Sequence, residues 1–426
     1  MIKKILLKKV KIIDPNSSYN QQVKDILIEN GEIVQIKDSI KEDGEATTIT
    51  EKNLHISPGL FDFRATFGEP GFETKEDLAS GAKAATAGGF TGVAITPNTS
   101  PSISNGSTVE YILNKSKILS VEILPIGTIS ANLKGIDLAE MYDMKQAGAI
   151  AFSDVKRSIT NPSLLSRALL YTKSFNGLII SFANDQNINH NGQINEGIVS
   201  TSLGLEGIPH LAEEIQITRD IYLAEYNDAR LHFASISSAK TVDLIRMAKA
   251  KNINITSDIA AHQILFTDQH TSQYDTNYKV LPPYRLQKDI DALIDGLKDN
   301  TIEVICSDHT PREIEDKEKE FDLAKFGIIN LQTAFPSMLT KLAPLTSLEL
   351  VIDKMAIQPR KILQLPIPCI SPQEKANFVL YNPTKEWTFL PQDILSKSKN
   401  SPFVHTTFTG KVFGTYYNNQ LHLTSD

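Results

Sequence analysis

Three residues with the potential for chemistry, Arg64, Thr66 and Gly68, stand at every second position after an apolar stretch that begins at residue 56. In an extended strand this spacing directs all three positions toward the same face. The turn residues Glu69-Pro70-Gly71 follow at once, so the three positions lie where a strand opens into a loop. In α/β barrels the carboxyl ends of the strands carry the chemistry. A permanent guanidinium cation at such a place would repel a metal ion, and we expect it to pair with carboxylates.

The elements that position these residues alternate between strand and helix patterns from residue 56 onward. Eight strands are predicted, at 56–63, 90–96, 120–126, 148–153, 177–183, 229–235, 252–258 and 302–307. Helix patterns lie between them, the clearest at 75–87, 138–147, 162–173, 209–224, 238–251 and 287–298. The alternation implies parallel strands with right-handed crossovers, and eight strands close a (β/α)8 barrel. The predicted fold class is therefore α/β, with a TIM-type barrel at 56–365.

Both ends of the chain carry short strand patterns instead of helices. The pair Asn30-Gly31 between two apolar runs predicts a β-hairpin, and strand character returns from residue 377. We expect residues 1–55 and 366–426 to pack together as a small β-sandwich domain beside the barrel.

Composition and charge narrow the class of protein. Hydrophobic residues make up 41% and charged residues 22% of the 426 residues, which is typical of a globular protein with a full core. A net charge of −7 argues against a nucleic-acid or anionic-membrane surface. No apolar run reaches the roughly 18 residues of a membrane span, and the N-terminus lacks the features of a signal peptide. The two cysteines form no CxxC pair, so a cytoplasmic location is expected.

The segment from Asp62 to Pro101 resembles the start of the dihydroorotase barrel, within the cyclic amidohydrolases of the amidohydrolase superfamily. Shorter motifs resemble the same family in the same order: FSD (152–154), NEG (195–197), AEEIQITRDI (212–221), LPPYR (281–285), SDHTPR (307–312) and GIINLQTAFPSML (327–339). The resemblance implies a distorted (β/α)8 barrel with a β-sandwich built from both chain ends. It also implies the zinc-dependent, reversible cyclisation of carbamoyl aspartate to dihydroorotate in pyrimidine synthesis.

Most of the metal ligands that the resemblance implies are replaced in this sequence. The family uses a His-x-His pair on the first strand, two further histidines, a bridging acidic group and an aspartate after the last strand. The four histidine positions are held here by Arg64, Thr66, Phe182 and Ser235. The acidic positions remain as Asp154 and Asp308. Two carboxylates are far short of the four ligands that zinc normally takes, so neither a metal nor another cofactor is expected, although the family uses zinc.

The substrate-binding positions implied by the resemblance are partly kept. The family's carboxylate-binding arginine falls on Gly68, the asparagine before Pro-Pro falls on Leu281, and a histidine falls on Arg312. Asn98 and His309 match the family as remnants of the substrate site. An equally good interpretation is that these two residues satisfy backbone groups at the rim of the barrel.

The remaining carboxylates need a positive partner if they are buried, because an unpaired buried carboxylate is costly or becomes protonated. We expect Arg64 to occupy the space of the replaced ligands and to pair with Asp308, with Asp154 or with both. The alternative is that Arg64 points to solvent. In both cases we expect Asp308 to be an inactive remnant of the family's catalytic aspartate.

Three functions are compatible with this sequence. The first is a dihydroorotase-like protein that has lost zinc binding and hydrolysis and acts as a structural or regulatory partner, with aspartate carbamoyltransferase as the partner that the resemblance suggests. The second is an active dihydroorotase or another cyclic amidohydrolase with an atypical metal site. The third is a sensor that binds a small molecule. The first is favoured, because four ligand positions are lost while the barrel and both flanks look intact. The resemblance also suggests a homo-oligomer, such as a homodimer.

Overall fold

The structure is a computed structural model that describes residues 4–42 and 44–424. In chain order its strands are β1 (Lys4–Ile12), β2 (Val23–Glu29), β3 (Glu32–Lys37), β4 (Thr47–Ile49), β5 (His55–Pro58), β6 (Leu60–Ala65), β7 (Phe90–Ile95), β8 (Glu122–Pro125), β9 (Phe152–Ser153), β10 (Ile179–Phe182), β11 (Ile194–Asn195), β12 (Gly207–Ile208), β13 (Leu231–Ala234), β14 (Ile255–Ala260), β15 (Val304–Cys306), β16 (Phe378–Thr388), β17 (Thr407–Tyr417) and β18 (Gln420–Leu423).

The α-helices are α1 (Leu78–Ala87), α2 (Gly106–Ser116), α3 (Met141–Ala147), α4 (Pro162–Lys173), α5 (Gln186–Asn189), α6 (Ile198–Leu203), α7 (His210–Asn227), α8 (Ala239–Ala250), α9 (Gln287–Lys298), α10 (Ile314–Lys317), α11 (Leu331–Lys341), α12 (Leu348–Ile352) and α13 (Gln358–Leu363). Within the described ranges, no helix combines the length and the apolarity needed to cross a membrane.

A ring of parallel strands forms the barrel. One ladder runs β6-β7-β8 and the other runs β9-β10-β13-β14-β15. A parallel bridge between Gly127 and Phe152 joins the two ladders on one side. On the other side, the Thr66 amide donates to the His309 carbonyl at 2.8 Å, and the Asp62 carboxylate accepts from the amide and the hydroxyl of Ser307. The predicted α/β fold class with a TIM-type barrel is confirmed.

The barrel strands are buried on both faces, as parallel strands covered by helices should be. Every residue of β6 and β7 is buried. Phe61, Phe63 and Ile180 belong to a cluster of fully buried apolar residues from several of these strands. Helix α4 begins as the sequence predicts, because the Asn161 side chain caps it and Pro162 occupies its first turn.

The two ends of the chain share one sheet. Its strand order is β18-β17-β16-β5-β1-β2-β3, with β4 paired to β1, so the antiparallel pair β5–β16 joins the N-terminal and C-terminal segments. The predicted hairpin is confirmed between β2 and β3, where Asn30 and Gly31 have φ values of 50° and 88°. The domain boundaries at 55/56 and 365/366 stay a prediction, and residues 1–3, 43, 425 and 426 lie outside the described residues.

Some elements differ from the predicted ones. Strand β9 has two residues instead of the predicted 148–153. Helices α2 and α11 were not among the helices predicted from the sequence. Helix α11 contains Pro336, which interrupts a helical pattern, yet Phe335 and Met338 in the same helix are fully buried. Tertiary packing therefore outweighs the local signal in this segment.

Candidate functional site

Arg64 lies near the carboxyl end of β6 and is only 3% exposed. Its Nη1 donates to Asp258 Oδ2 at 3.0 Å and its Nη2 to Asp258 Oδ1 at 3.3 Å, so the two groups form a forked pair. Nη2 also donates to Ser235 Oγ at 2.6 Å and lies 3.4 Å from Asp308 Oδ1. The predicted pairing with Asp308 is confirmed, and the alternative that Arg64 points to solvent is wrong.

Of the two carboxylates offered as possible partners of Arg64, Asp308 pairs with it and Asp154 does not. Asp154 accepts hydrogen bonds from the amides of Ile129 at 2.9 Å and Ser130 at 3.0 Å, and from the Ser130 hydroxyl. Burial raises the pKa of Asp154, although these hydrogen bonds oppose the rise. Asp154 is therefore satisfied by its own neighbours and needs no guanidinium.

Asp258 is the main partner of Arg64, and it was not predicted as a site residue from the sequence. It also accepts from the Ser235 amide at 2.7 Å, and its Oδ2 lies 3.0 Å from His232 Nε2. Burial by itself would raise the pKa of Asp258, but the charge of Arg64 and the hydrogen bond with His232 outweigh burial and hold the pKa below its usual range. The available signal was its place in the last position of the predicted strand 252–258, at the end of the barrel where the chemistry lies.

Asp308 is engaged by cations through both oxygens. Lys156 Nζ donates to Oδ2 at 2.6 Å and also to the Leu281 carbonyl, while Arg64 approaches Oδ1. His262 Nε2 lies 3.7 Å from Oδ2. Burial would raise the pKa of Asp308, but Lys156, His262 and Arg64 together hold it well below its usual range. A carboxylate in this state is a weak base.

The other replaced histidine positions carry neutral side chains with local partners. Thr66 Oγ1 lies 2.9 Å from Thr96 Oγ1, and Thr96 donates to Asn98 Oδ1 at 2.6 Å. Phe182 is buried at the end of β10, where its carbonyl accepts from the Ser158 hydroxyl at 2.8 Å. Asn98 and Thr66 line the mouth of the barrel, whereas Phe182 does not.

His309 is buried, and both of its ring nitrogens have partners. Its Nδ1 accepts from the Asn330 amide at 3.1 Å, and its Nε2 lies 3.3 Å from Glu76 Oε2. These contacts fit a residue that satisfies backbone and carboxylate groups at the barrel rim. The substrate-binding roles of Asn98 and His309 stay predictions.

Gly68 occupies a place where a side chain does not fit. A Cβ atom there would stand 2.1 Å from the carbonyl oxygen of Phe72, and the Gly68 amide donates to the Glu76 carbonyl at 2.9 Å. An arginine at this position would require the loop backbone to move. The loop around position 68 therefore accommodates a glycine and not the carboxylate-binding arginine that the resemblance implies.

A cavity of about 300 Å³ opens at the mouth of the barrel, and Arg64, Lys156 and Asp308 form part of its wall. Among the described residues no group of three or more His, Cys, Asp or Glu side chains is placed to hold a metal ion. The arrangement around Arg64 is a network of ion pairs, in which each carboxylate oxygen already has a donor.

Comparison with known proteins gives a consistent result. A family model described as dihydro-orotase-like matches residues 54–241. The chain is 41% identical to a dihydroorotase of Syntrophus aciditrophicus over 97% of both chains, and 40% identical to one of Geobacter metallireducens over 94% of this chain and 95% of that one. The solved L-hydantoinase of Arthrobacter aurescens superposes with a TM-score of 0.84 at 20% identity, over 99% of this chain and 96% of that one, which supports the fold alone.

The expectation that no cofactor is needed is wrong. Dihydroorotases and hydantoinases are metal-dependent, typically with zinc, and this chain matches dihydroorotases at about 40% identity over nearly its whole length. A metal is therefore the cofactor that these relatives imply. In the described arrangement the residues around Arg64 do not fit one, because a permanent cation fills the space between Asp258, Asp308 and Ser235.

Proposed function

Because this chain belongs to the dihydroorotase-like family and is a dihydroorotase-like protein of pyrimidine biosynthesis, we propose that its barrel no longer hydrolyses cyclic amides and serves as a non-catalytic member of that family. The observation that carries this proposal is the forked ion pair between Arg64 and Asp258, at 3.0 and 3.3 Å. It stands at the strand end where the resemblance places a pair of metal-binding histidines.

Hydrolysis of a cyclic amide needs an activated water molecule and a polarised carbonyl group. Asp308 is the carboxylate that could accept a proton from water, but Lys156 and Arg64 engage its two oxygens and its pKa is well below the usual range. Efficient general bases have a pKa near the working pH, so this group is poorly suited to the task. The Nη atoms of Arg64 are likewise engaged by Asp258, Ser235 and Asp308.

An active dihydroorotase is the second candidate, and the comparisons favour it. The relatives at 40–41% identity carry the name dihydroorotase, and they align with this chain over almost its full length. In that case carbamoyl aspartate and dihydroorotate would be interconverted by a metal site that uses ligands other than the family's histidines.

One assay separates the two candidates. The purified protein, with and without added zinc, is incubated with dihydroorotate, and carbamoyl aspartate is measured by chromatography alongside the metal content. The Syntrophus aciditrophicus dihydroorotase serves as the positive control. Conversion no faster than the uncatalysed reaction supports the proposal. Turnover that is lost in the variant Asp308→Asn would establish the second candidate instead.

We further propose aspartate carbamoyltransferase as the partner of this protein, and self-association as a homo-oligomer. The support is the family resemblance, in which an inactive barrel can act as a structural partner of that enzyme. Size-exclusion chromatography with light scattering, on each protein alone and on the mixture, measures both kinds of association. A mixture that elutes as the sum of its components would refute the partnership.

A further inference from the structure

A second cavity opens at the end of the barrel opposite to Arg64. Its volume is about 290 Å³, close to the 300 Å³ of the cavity at the mouth, and the described residues that line the two cavities are all different. Its wall includes Leu178, Leu231 and Glu303, which stand at the amino ends of β10, β13 and β15. In α/β barrels the chemistry lies at the carboxyl ends of the strands, so this second cavity is separate from the site around Arg64.

One carboxylate, that of Glu303, belongs to the described wall of the second cavity, and both of its oxygens already have donors. Its Oε1 accepts from Lys249 Nζ, and its Oε2 accepts from the Ser257 amide at 3.0 Å. Asn300 Oδ1, also in the wall, accepts from Lys354 Nζ at 2.5 Å. The acceptors that could hold a cationic ligand are thus largely occupied by the protein's own lysines.

The wall also carries two cations, Arg230 and Lys361. Neither of them forms an ion pair with a carboxylate of residues 4–42 or 44–424. Arg230 is held by two backbone carbonyls, because its Nη1 donates to Asn176 at 3.0 Å and its Nη2 donates to Ile362. These bonds use two of the five N–H donors of a guanidinium group, so three remain for a ligand.

The protein itself compensates the charge of Arg230 poorly. Burial lowers the pKa of Arg230, and no carboxylate of the described residues counteracts this effect. Burial and the charge of Arg230 also lower the pKa of Lys145. Two half-buried cations therefore lie close enough to repel each other. An anion bound beside Arg230 would relieve this repulsion, because an opposite charge within about 4–6 Å favours the charged form of a side chain.

Another part of the wall is apolar, because the aliphatic side chains of Leu178, Leu231 and Ile362 line the second cavity and are buried. Asn254 lines it as well, is exposed, and makes no side-chain hydrogen bond with the described residues. A ligand that matches this wall has an anionic group for the two cations and an apolar body for the aliphatic side chains. The volume is near the lower limit of ligand sites, about 300–1,000 Å³, so the ligand is small.

We propose that the second cavity binds a small organic anion, whose carboxylate or phosphate group is held by Arg230 and Lys361 and whose apolar body packs on the aliphatic part of the wall. Carboxylate and phosphate groups share the chemistry that guanidinium and ammonium groups recognise. The ligand is bound and left chemically unchanged. The site goes beyond the proposed function, because its wall is the same whether or not the mouth of the barrel hydrolyses an amide.

Isothermal titration calorimetry on the full chain tests this site with benzoate and phenyl phosphate, and with benzamide as a neutral molecule of similar size and shape, all at matched ionic strength. We expect one site per chain for at least one of the two anions and no saturable heat with benzamide. Binding of phenyl phosphate alone supports a phosphate ester as the ligand, and binding of benzoate alone supports a carboxylate. Absence of binding by both anions, or equal binding of benzamide, would overturn the proposal.

Variants locate the bound anion at one end of the barrel. Arg230→Gln and Lys361→Gln should each weaken binding about tenfold, because each removes a charged hydrogen-bond donor. Lys361 is exposed, so its variant tests the site even if Arg230→Gln does not fold.

Two control variants should bind the anion as tightly as the parent chain. Arg157→Gln changes the wall of the mouth cavity, and Lys240→Gln changes an exposed residue of α8 that is not among the described lining of either cavity. Weakening by Arg157→Gln but not by Lys361→Gln would place the anion at the mouth and overturn the proposal, as would equal weakening by Lys240→Gln and Lys361→Gln. The probes contain no cyclic amide, so failure here leaves the proposed loss of hydrolysis untouched.

Discussion

Replacement of Arg64 by Met tests the ion-pair network most directly. Methionine has a similar length and no charge, so Arg64→Met removes the guanidinium from a position that is only 3% exposed. Asp308 keeps Lys156 at 2.6 Å, whereas Asp258 keeps the Ser235 amide, the His232 ring and the Cys306 thiol. The variant therefore leaves one buried carboxylate without a full positive charge beside it.

The expected penalty follows from that loss. Removing one partner of a buried ion pair typically destabilises a protein by about 3–5 kcal/mol. With an unfolding entropy of ~2.1 cal/mol/K per residue, a chain of this length loses about 1 °C in Tm for each kcal/mol, provided that it unfolds as one unit. We expect Arg64→Met to lower the Tm by about 3–6 °C at neutral pH.

The pH dependence identifies the cause. Without Arg64 the folded-state pKa of Asp258 rises, because burial is then opposed by hydrogen bonds alone. A raised carboxyl pKa adds stability below the unfolded pKa that is lost as the pH rises, so the deficit of Arg64→Met should grow between about pH 5 and about pH 8. Arg230→Met is the control, since the partly buried Arg230 donates to the Asn176 and Ile362 carbonyls and burial lowers its pKa, so its deficit should not show this rise.

A second substitution completes the test. Asp258→Asn removes the carboxylate charge that Arg64→Met leaves unpaired. The double variant Arg64→Met/Asp258→Asn should therefore lose less unfolding free energy than the two single variants together, by about 0.5–3 kcal/mol. Thermal and urea unfolding at both pH values measure all four proteins. Additive effects, or a deficit of Arg64→Met that is the same at both pH values, would refute the assignment of Asp258 as a charged partner.

Three further predictions concern the same end of the barrel. Burial raises the pKa of Asp62 to about 7 in spite of hydrogen bonds from Ser307, so the contribution of Asp62 to stability is complete below its unfolded pKa and is lost as the pH rises through about 7. Asp62→Asn should therefore remove a slope of up to ~1.4 kcal/mol per pH unit from the free energy of urea unfolding above about pH 4. An unchanged slope would contradict the raised pKa of Asp62. Gly68→Ala should lower the unfolding free energy by about 1–3 kcal/mol, because its Cβ would lie 2.1 Å from the Phe72 carbonyl oxygen, whereas unchanged stability would mean that the loop relaxes freely. The combined variant Arg64→His, Thr66→His, Phe182→His and Ser235→His should bind zinc more tightly than the parent chain. It should still not turn over dihydroorotate, because position 68 has no room for the arginine that would bind the substrate carboxylate. Measurable turnover in a zinc-supplemented assay would refute this prediction.

The fold was predictable because its signals are local. Strand and helix periods and the Asn161-Pro162 start of α4 can be read within a few residues of each position, and α4 spans 162–173 as predicted. The misses have tertiary causes. Helix α11 was not predicted because Pro336 interrupts its helical pattern, and the burial of Phe335 and Met338 stabilises the helix nevertheless. The predicted strand 148–153 shortens to Phe152–Ser153, where pairing with β10 begins.

The central residue of the site, Arg64, was predictable from the sequence, whereas its main partner, Asp258, was not. The replaced position Arg64 follows from the motif, and the need of a buried cation for a carboxylate follows from electrostatics. Which carboxylate it meets depends on neighbours in the closed barrel. The motif residue Asp308 contacts Arg64 as predicted, but Asp154 is satisfied by Ser130, 24 residues away, and the main partner Asp258 is separated from Arg64 by 194 residues. The motif therefore identified one of the two carboxylate partners of Arg64, and it could not identify Asp258, which lies outside the motif.

The replacements at 64 and 235 are coupled in space. Ser235 Oγ accepts from Arg64 Nη2 at 2.6 Å, and the Ser235 amide donates to the same Asp258 oxygen that Nη2 approaches. A histidine ring at 235 would need the volume that the guanidinium now fills, and an imidazole at 64 would be too short to reach Asp258 in the same way. The side chains at 64 and 235 therefore fit each other as one arrangement. Two of the four lost histidine positions belong to a single ion-pair network, so they are not independent losses of a metal ligand.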